Sequence, residues 1–135
     1  MKVETPYTFG TRIAGSPSTV RPLVEAALRA EGFGVLTEID VAATLKAKLG
    51  VERPAYLILG ACNPPLAHRA LEIEPSVGAL LPCNVVLRAD GDETVVEAID
   101  PSAAMSIGGD AAIGEVASEA RGRLQRVIAA VEAAG

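Results

Sequence analysis

The sequence predicts an α+β fold, a two-layer α/β sandwich with helices on one face of a sheet. Three observations carry this. Strand-like and helix-like segments follow one another in the order β-α-β-(short α)-β-(short α)-β-β-α. Two Val-rich arms between Asn84 and Asp100 flank Asp90-Gly91, the strongest hairpin signal in the chain. The last segment carries a single apolar stripe, Ile113, Val116, Ala120, Leu124, Val127, Ile128 and Val131, at helical spacing. At 135 residues the expectation is one domain spanning 1–135, and 50% hydrophobic residues suffice for a sizeable core.

Taken in order, Tyr7, Phe9, Thr11 and Ile13 alternate onto one face, which predicts a strand. Gly15-Ser16-Pro17 then turns the chain. Val20, Leu23, Val24, Ala27 and Leu28 predict an amphipathic helix over about Thr19–Glu31, with Pro22 near its first turn and Gly32 as its stop. Phe33–Asp40 reads as a second strand, and Asp40 as the cap of a short helix, Val41–Leu49, closed by Gly50. Ala55–Ala61 is a continuous apolar run of strand length. Asn63 caps the next short helix, with Pro64 and Pro65 in its first turn and Leu66, Ala70 and Ile73 facing inward. Pro75–Pro82 reads as an irregular connection, and Asp100–Asp110 as a loop with a hinge at Gly108-Gly109.

Composition excludes several function classes. The formal net charge is −5 and no Lys/Arg cluster exists, so the chain repels phosphate backbones. Two Phe, two Tyr and no Trp leave little equipment for base stacking. No nucleic-acid partner is expected. Met1–Gly10 has no basic-then-apolar signal pattern, and no apolar run approaches the roughly 18 residues of a membrane span. A soluble cytoplasmic protein with no membrane partner is expected, and in that compartment its two cysteines are expected to be reduced.

Those cysteines stand out because each precedes an asparagine: Gly60-Ala61-Cys62-Asn63-Pro64-Pro65 and Leu81-Pro82-Cys83-Asn84. Parallel strands would place the two thiols about 20 Å apart, at opposite ends of a six-residue strand. Antiparallel strands would place them at one end. The helix after Asn63 runs back about 15 Å, and Pro75–Pro82 is long enough to return the chain to its starting edge, which favours the antiparallel arrangement.

Three chemistries fit such an edge. Cys62 and Cys83, with His68, could ligate a soft metal or haem iron, although the spacing matches no known zinc motif. The two thiols could form a redox pair, although Cys-x-x-Cys is missing. Asn63, Asn84 and the helix N-terminus could hold a small anion. Local structure alone also accounts for both motifs: cysteine is a small, usually buried residue, and asparagine caps helices and makes turns.

Elsewhere the signals are weaker. His68, the single histidine, is expected to be partly exposed on a helix flank. Glu38 and Asp40 share a strand face, but a surface charge and a helix cap explain them. No Gly-x-Ser-x-Gly elbow, P-loop or dinucleotide fingerprint is present.

The stretches Gly32–Gly50, Tyr56–Leu71 and Glu74–Leu87 together resemble the bacterial and archaeal family called domain of unknown function 302. The Gly-Ala-Cys-Asn-Pro and Leu-Pro-Cys-Asn motifs carry the resemblance, which extends from about Phe33 to Asp100. It implies a curved, mostly antiparallel sheet similar in topology to half repeats of the TATA-box-binding protein. It implies no activity, no cofactor and no catalytic residue, and fold likeness does not imply DNA binding. It marks Cys62, Asn63, Cys83 and Asn84 as family-like positions. The functional expectation is a domain binding a small ligand or ion at this Cys-Asn edge and forming a homodimer. The alternatives are a thiol-dependent enzyme or redox protein using Cys62, activated by the adjoining helix N-terminus, and a dimerisation or partner module without ligand.

Overall fold

The computed structural model describes residues 2–106 and 110–135. Six strands build one sheet: β1 (Lys2–Glu4), β2 (Thr8–Ala14), β3 (Gly34–Asp40), β4 (Tyr56–Cys62), β5 (Cys83–Asp90) and β6 (Glu93–Ile99). The helices are α1 (Pro17–Ala30), α2 (Val41–Leu49), α3 (Pro64–Ile73), α4 (Pro101–Met105) and α5 (Ala111–Ala134), with a 3-10 helix over Pro75–Leu80. The strand order is β1-β2-β6-β5-β4-β3, and every neighbouring pair is antiparallel. This is the expected α+β architecture.

The core forms where alternation puts apolar side chains against two helices. Val20, Val24 and Leu28 of α1 and Leu124, Val127 and Val131 of α5 meet Leu59, Ala61, Val85, Leu87, Val96 and Ala98 of the sheet, all at most 2% exposed. On the opposite face β2, β5 and β6 also present polar groups. There Arg88 Nε donates to Glu97 Oε1 at 2.8 Å, Thr8 Oγ1 donates to Glu97 Oε2 at 3.0 Å, and Arg12 pairs with Asp90. Gly10 in β2 allows a close approach to β6, for a Cβ there would lie 2.0 Å from the Val96 carbonyl oxygen.

A second, smaller cluster lies beyond one end of the sheet. Leu66 and Ala70 of α3, Val77, Met105 of α4, and Ile113, Val116, Ala117 and Ala120 of α5 bury one another. Two elements here were not anticipated from sequence. Asp100–Asp110 is not simply a loop: Asp100 Oδ1 accepts from the Ser102 amide at 3.0 Å and starts α4. The connection Pro75–Leu80 is a regular 3-10 turn. The hinge expected at Gly108-Gly109 lies outside the described residues. At the N-terminus, β1 adds a short edge strand that the sequence pattern did not announce, and α1 starts at Pro17 under a Ser16 cap, which puts Pro22 inside the helix. Asp40 caps α2 through Ala43 at 2.9 Å and Glu38 pairs with Arg21, so both carboxylates have the structural roles expected of them.

Candidate functional site

The register of β4 against β5 decides the site. Ala61 pairs with Cys83 and Gly60 with Asn84. Cys62, the last residue of β4, and Cys83, the first of β5, therefore stand at one end of two neighbouring strands, one residue out of register, so that alternation turns their side chains toward opposite faces at that sheet end. A Cβ at Gly60 would sit 2.2 Å from Thr37 Oγ1 and 2.9 Å from Pro82 Cγ. The missing side chain thus lets Pro82 lie down on the sheet just before Cys83.

Both cysteines line one cavity of about 30 Å³ between the sheet end and the smaller cluster. Its wall is mostly apolar, with Phe33, Leu66, Ala70, Leu81 and Val116 among the residues that line it, and Met105 lines it as well. The space suits about two water molecules or one ion. Both thiols are free. Burial pushes the Cys83 thiol up to about 11, and the neighbouring Cys62 charge adds to the effect.

Asn63 has a different task. Its Oδ1 accepts from the Leu66 amide at 3.3 Å, capping α3. Its Nδ2 donates to the Glu31 carbonyl at 3.3 Å, at the far end of α1. There Gly32 takes φ +84°, while Gly32 and Phe33 donate to the carbonyls of Arg29 and Leu28. Arg123 Nη1 donates to the same Glu31 oxygen at 3.1 Å. One buried amide, 8% exposed, thus closes two helix ends at once. The anion expected at the α3 N-terminus finds no donor in the first turn, because Pro64 and Pro65 lack N–H and the Leu66 amide is capped.

The other expected site residues lie elsewhere. Asn84 is exposed and follows Cys83 on a strand, so alternation turns it to the opposite sheet face. His68 is exposed on α3, two residues from both Leu66 and Ala70, about 200° around the helix from each. It does not line the cavity. The ligand set Cys62, Cys83 and His68 is therefore not assembled, and among the described residues no three His, Cys, Asp or Glu side chains come together to hold a metal. Met105 is the cavity residue that sequence reasoning missed. A wider groove of about 260 Å³ lies between β1 and α5, but its Arg121 is tied to Asp100 and its Glu132 to Thr11.

Fold and site together define a small α+β domain with a thiol-lined apolar cavity at one end of an antiparallel sheet. The chain belongs to the family described as "Domain of unknown function DUF302", whose family model matches residues 9–131. It is similar to the crystal structure of an uncharacterized conserved DUF302 protein from Bacillus stearothermophilus, with 29% identity, a TM-score of 0.84, and coverage of 92% of this chain and 95% of that one. Among curated proteins none matches. Among the described residues no helix is long and apolar enough to cross a membrane.

Two measurements check this geometry. Replacing Asn63 by Ala leaves the Leu66 amide uncapped and Glu31 with one donor fewer, and should destabilise the chain by about 1–2 kcal/mol in urea. Asn63→Asp, which keeps the acceptor, should lose less. Equal stability of wild type and Asn63→Ala would contradict the double cap. Cys83 keeps its proton in the folded chain up to about pH 11, whereas an unfolded thiol loses it near about 8.5. Stability should therefore fall as pH rises through this window, by about 3 kcal/mol from this group. Cys83→Ala should remove that part of the slope, and an unchanged slope would contradict it.

Proposed function

We propose that this is a small soluble domain that binds a small ligand or ion in the cavity shared by Cys62 and Cys83. The observation that carries the reading is that two strand ends, remote in sequence, bring both cysteines of the chain to the lining of one cavity. Two thiols left unbridged while lining a common space fit a reducing, cytoplasmic compartment. Binding is favoured over catalysis. Among the described residues lining the cavity there is no His, Asp, Glu, Lys or Arg to serve Cys62 as a base. The test is native mass spectrometry of the full chain, purified under reducing conditions without chelator. A mass above the bare chain, lost in Cys83→Ala, is expected. A bare chain that takes up nothing from cell extract would refute the reading.

A homodimer is supported by a separate observation. β3 is an edge strand, and Leu36 and Ile39 on it are 68% and 49% exposed; Leu49 and Val51, in the segment that follows, are 70% and 47% exposed. An apolar patch on an open strand edge is a template for pairing with another chain. A second copy aligned along β3 would cover it. Sedimentation should show a dimer that Ile39→Lys with Leu49→Glu converts to monomer; a wild-type monomer at working concentration would end this reading.

A further inference from the structure

We infer that the cavity accepts the small apolar end of an uncharged organic molecule, about two heavy atoms in size, and holds neither an ion nor ordered water. This rests on the reading of the cavity as a binding site, and it names the class of ligand.

The lining sets the selection. Phe33, Leu66 and Ala70 of one side and Val116 and Ala120 of α5 are buried, and their side chains are carbon alone. Asn63 is the one lining side chain with an oxygen or nitrogen, and its amide already serves Leu66 and Glu31. An ordered water needs about two to four polar partners, and a cavity without them stays dry and takes apolar guests instead. An ion fares worse. The described lining holds no charged side chain. Burial pushes the Cys83 thiol up to about 11, so it is neutral at ordinary pH. A charge moved here from water would lose its hydration and gain no partner.

Size and access set the rest. The volume is about 30 Å³. One water-sized sphere needs about 10–15 Å³, so about two heavy atoms fit. That admits an ethyl or methylthio group and excludes an aromatic ring. Cys62, Ala67, Leu81, Pro82 and Cys83 on the same lining are only half-buried. They form the solvent side of the space, opposite the buried floor. A ligand can therefore seat its apolar end on the floor and keep its polar part in water. The site lies at the seam of two separately packed groups of side chains, so filling it displaces neither.

The test is methyl NMR of the reduced full-length chain under rising xenon pressure, xenon standing in for the apolar group. Saturable shifts are expected at the Leu66, Met105 and Val116 methyls, with Val24 and Val131 of the main core unmoved. Benzene, too large for the space, should move none of them. Ala70→Val adds carbon toward the space and should weaken xenon binding about tenfold, with Ala120→Val as the second variant should the first fail to fold. His68→Ala should bind as wild type. Shifts that rise linearly with pressure at every methyl, or that saturate in the main core, would overturn the proposal. So would unchanged xenon binding in the filling variants, or benzene bound as tightly as xenon. No saturable shift, alongside a bound mass lost in Cys83→Ala, would overturn the ligand class and leave the cavity reading standing. Saturable shifts on a chain that stays bare in cell extract would uphold the selectivity and overturn the reading of the cavity as occupied in the cell.

Discussion

The antiparallel pairing of β4 with β5 is the constraint on which the rest of the structure depends. These two strands lie inside the sheet, and Leu59, Ala61, Val85 and Leu87 supply much of its buried face. A slip of one residue would turn that face outward and expose every one of those side chains. The same register fixes Ala61 opposite Cys83. The pairing that makes the core therefore also brings both cysteines to the sheet end where the cavity lies.

Asn63 links this sheet end to the helical layer. It closes α3 with its oxygen and α1 with its nitrogen, while Gly32 turns the chain and Phe33 drops into the core. Each of these polar groups is a helix-end group that the helix itself leaves unpaired. The cavity lies just beyond, at the seam between the main core and the smaller cluster. A seam between two separately packed groups of side chains is where imperfect filling is expected, and the sulfurs stand at that seam.

Much of this was legible in the sequence. Asn-Pro-Pro spells a cap followed by two residues without N–H, and Asp-Gly between Val-rich arms spells the hairpin. The return leg Pro75–Pro82 indicated antiparallel strands, and the family resemblance agreed. The anion reading could have been discounted from Pro64 and Pro65 alone. Asn84 could have been separated from Cys83 by strand alternation, since neighbours on a strand face opposite ways. Met105 could not have been found this way. It lies on a five-residue helix inside a segment with loop composition, and its approach to the cavity is set by packing of α4 against α5. Such long-range packing leaves no local signature.

The central claim is that Cys62 and Cys83 form one site rather than two separate buried thiols. It is tested most directly by titrating the reduced chain with Hg(II), whose two-coordinate thiolate chemistry favours bridging a pair of sulfurs, and counting the thiols that still react. The account predicts that one equivalent removes both Cys62 and Cys83 from reaction. A requirement for two equivalents, or one thiol remaining free after the first, would contradict it.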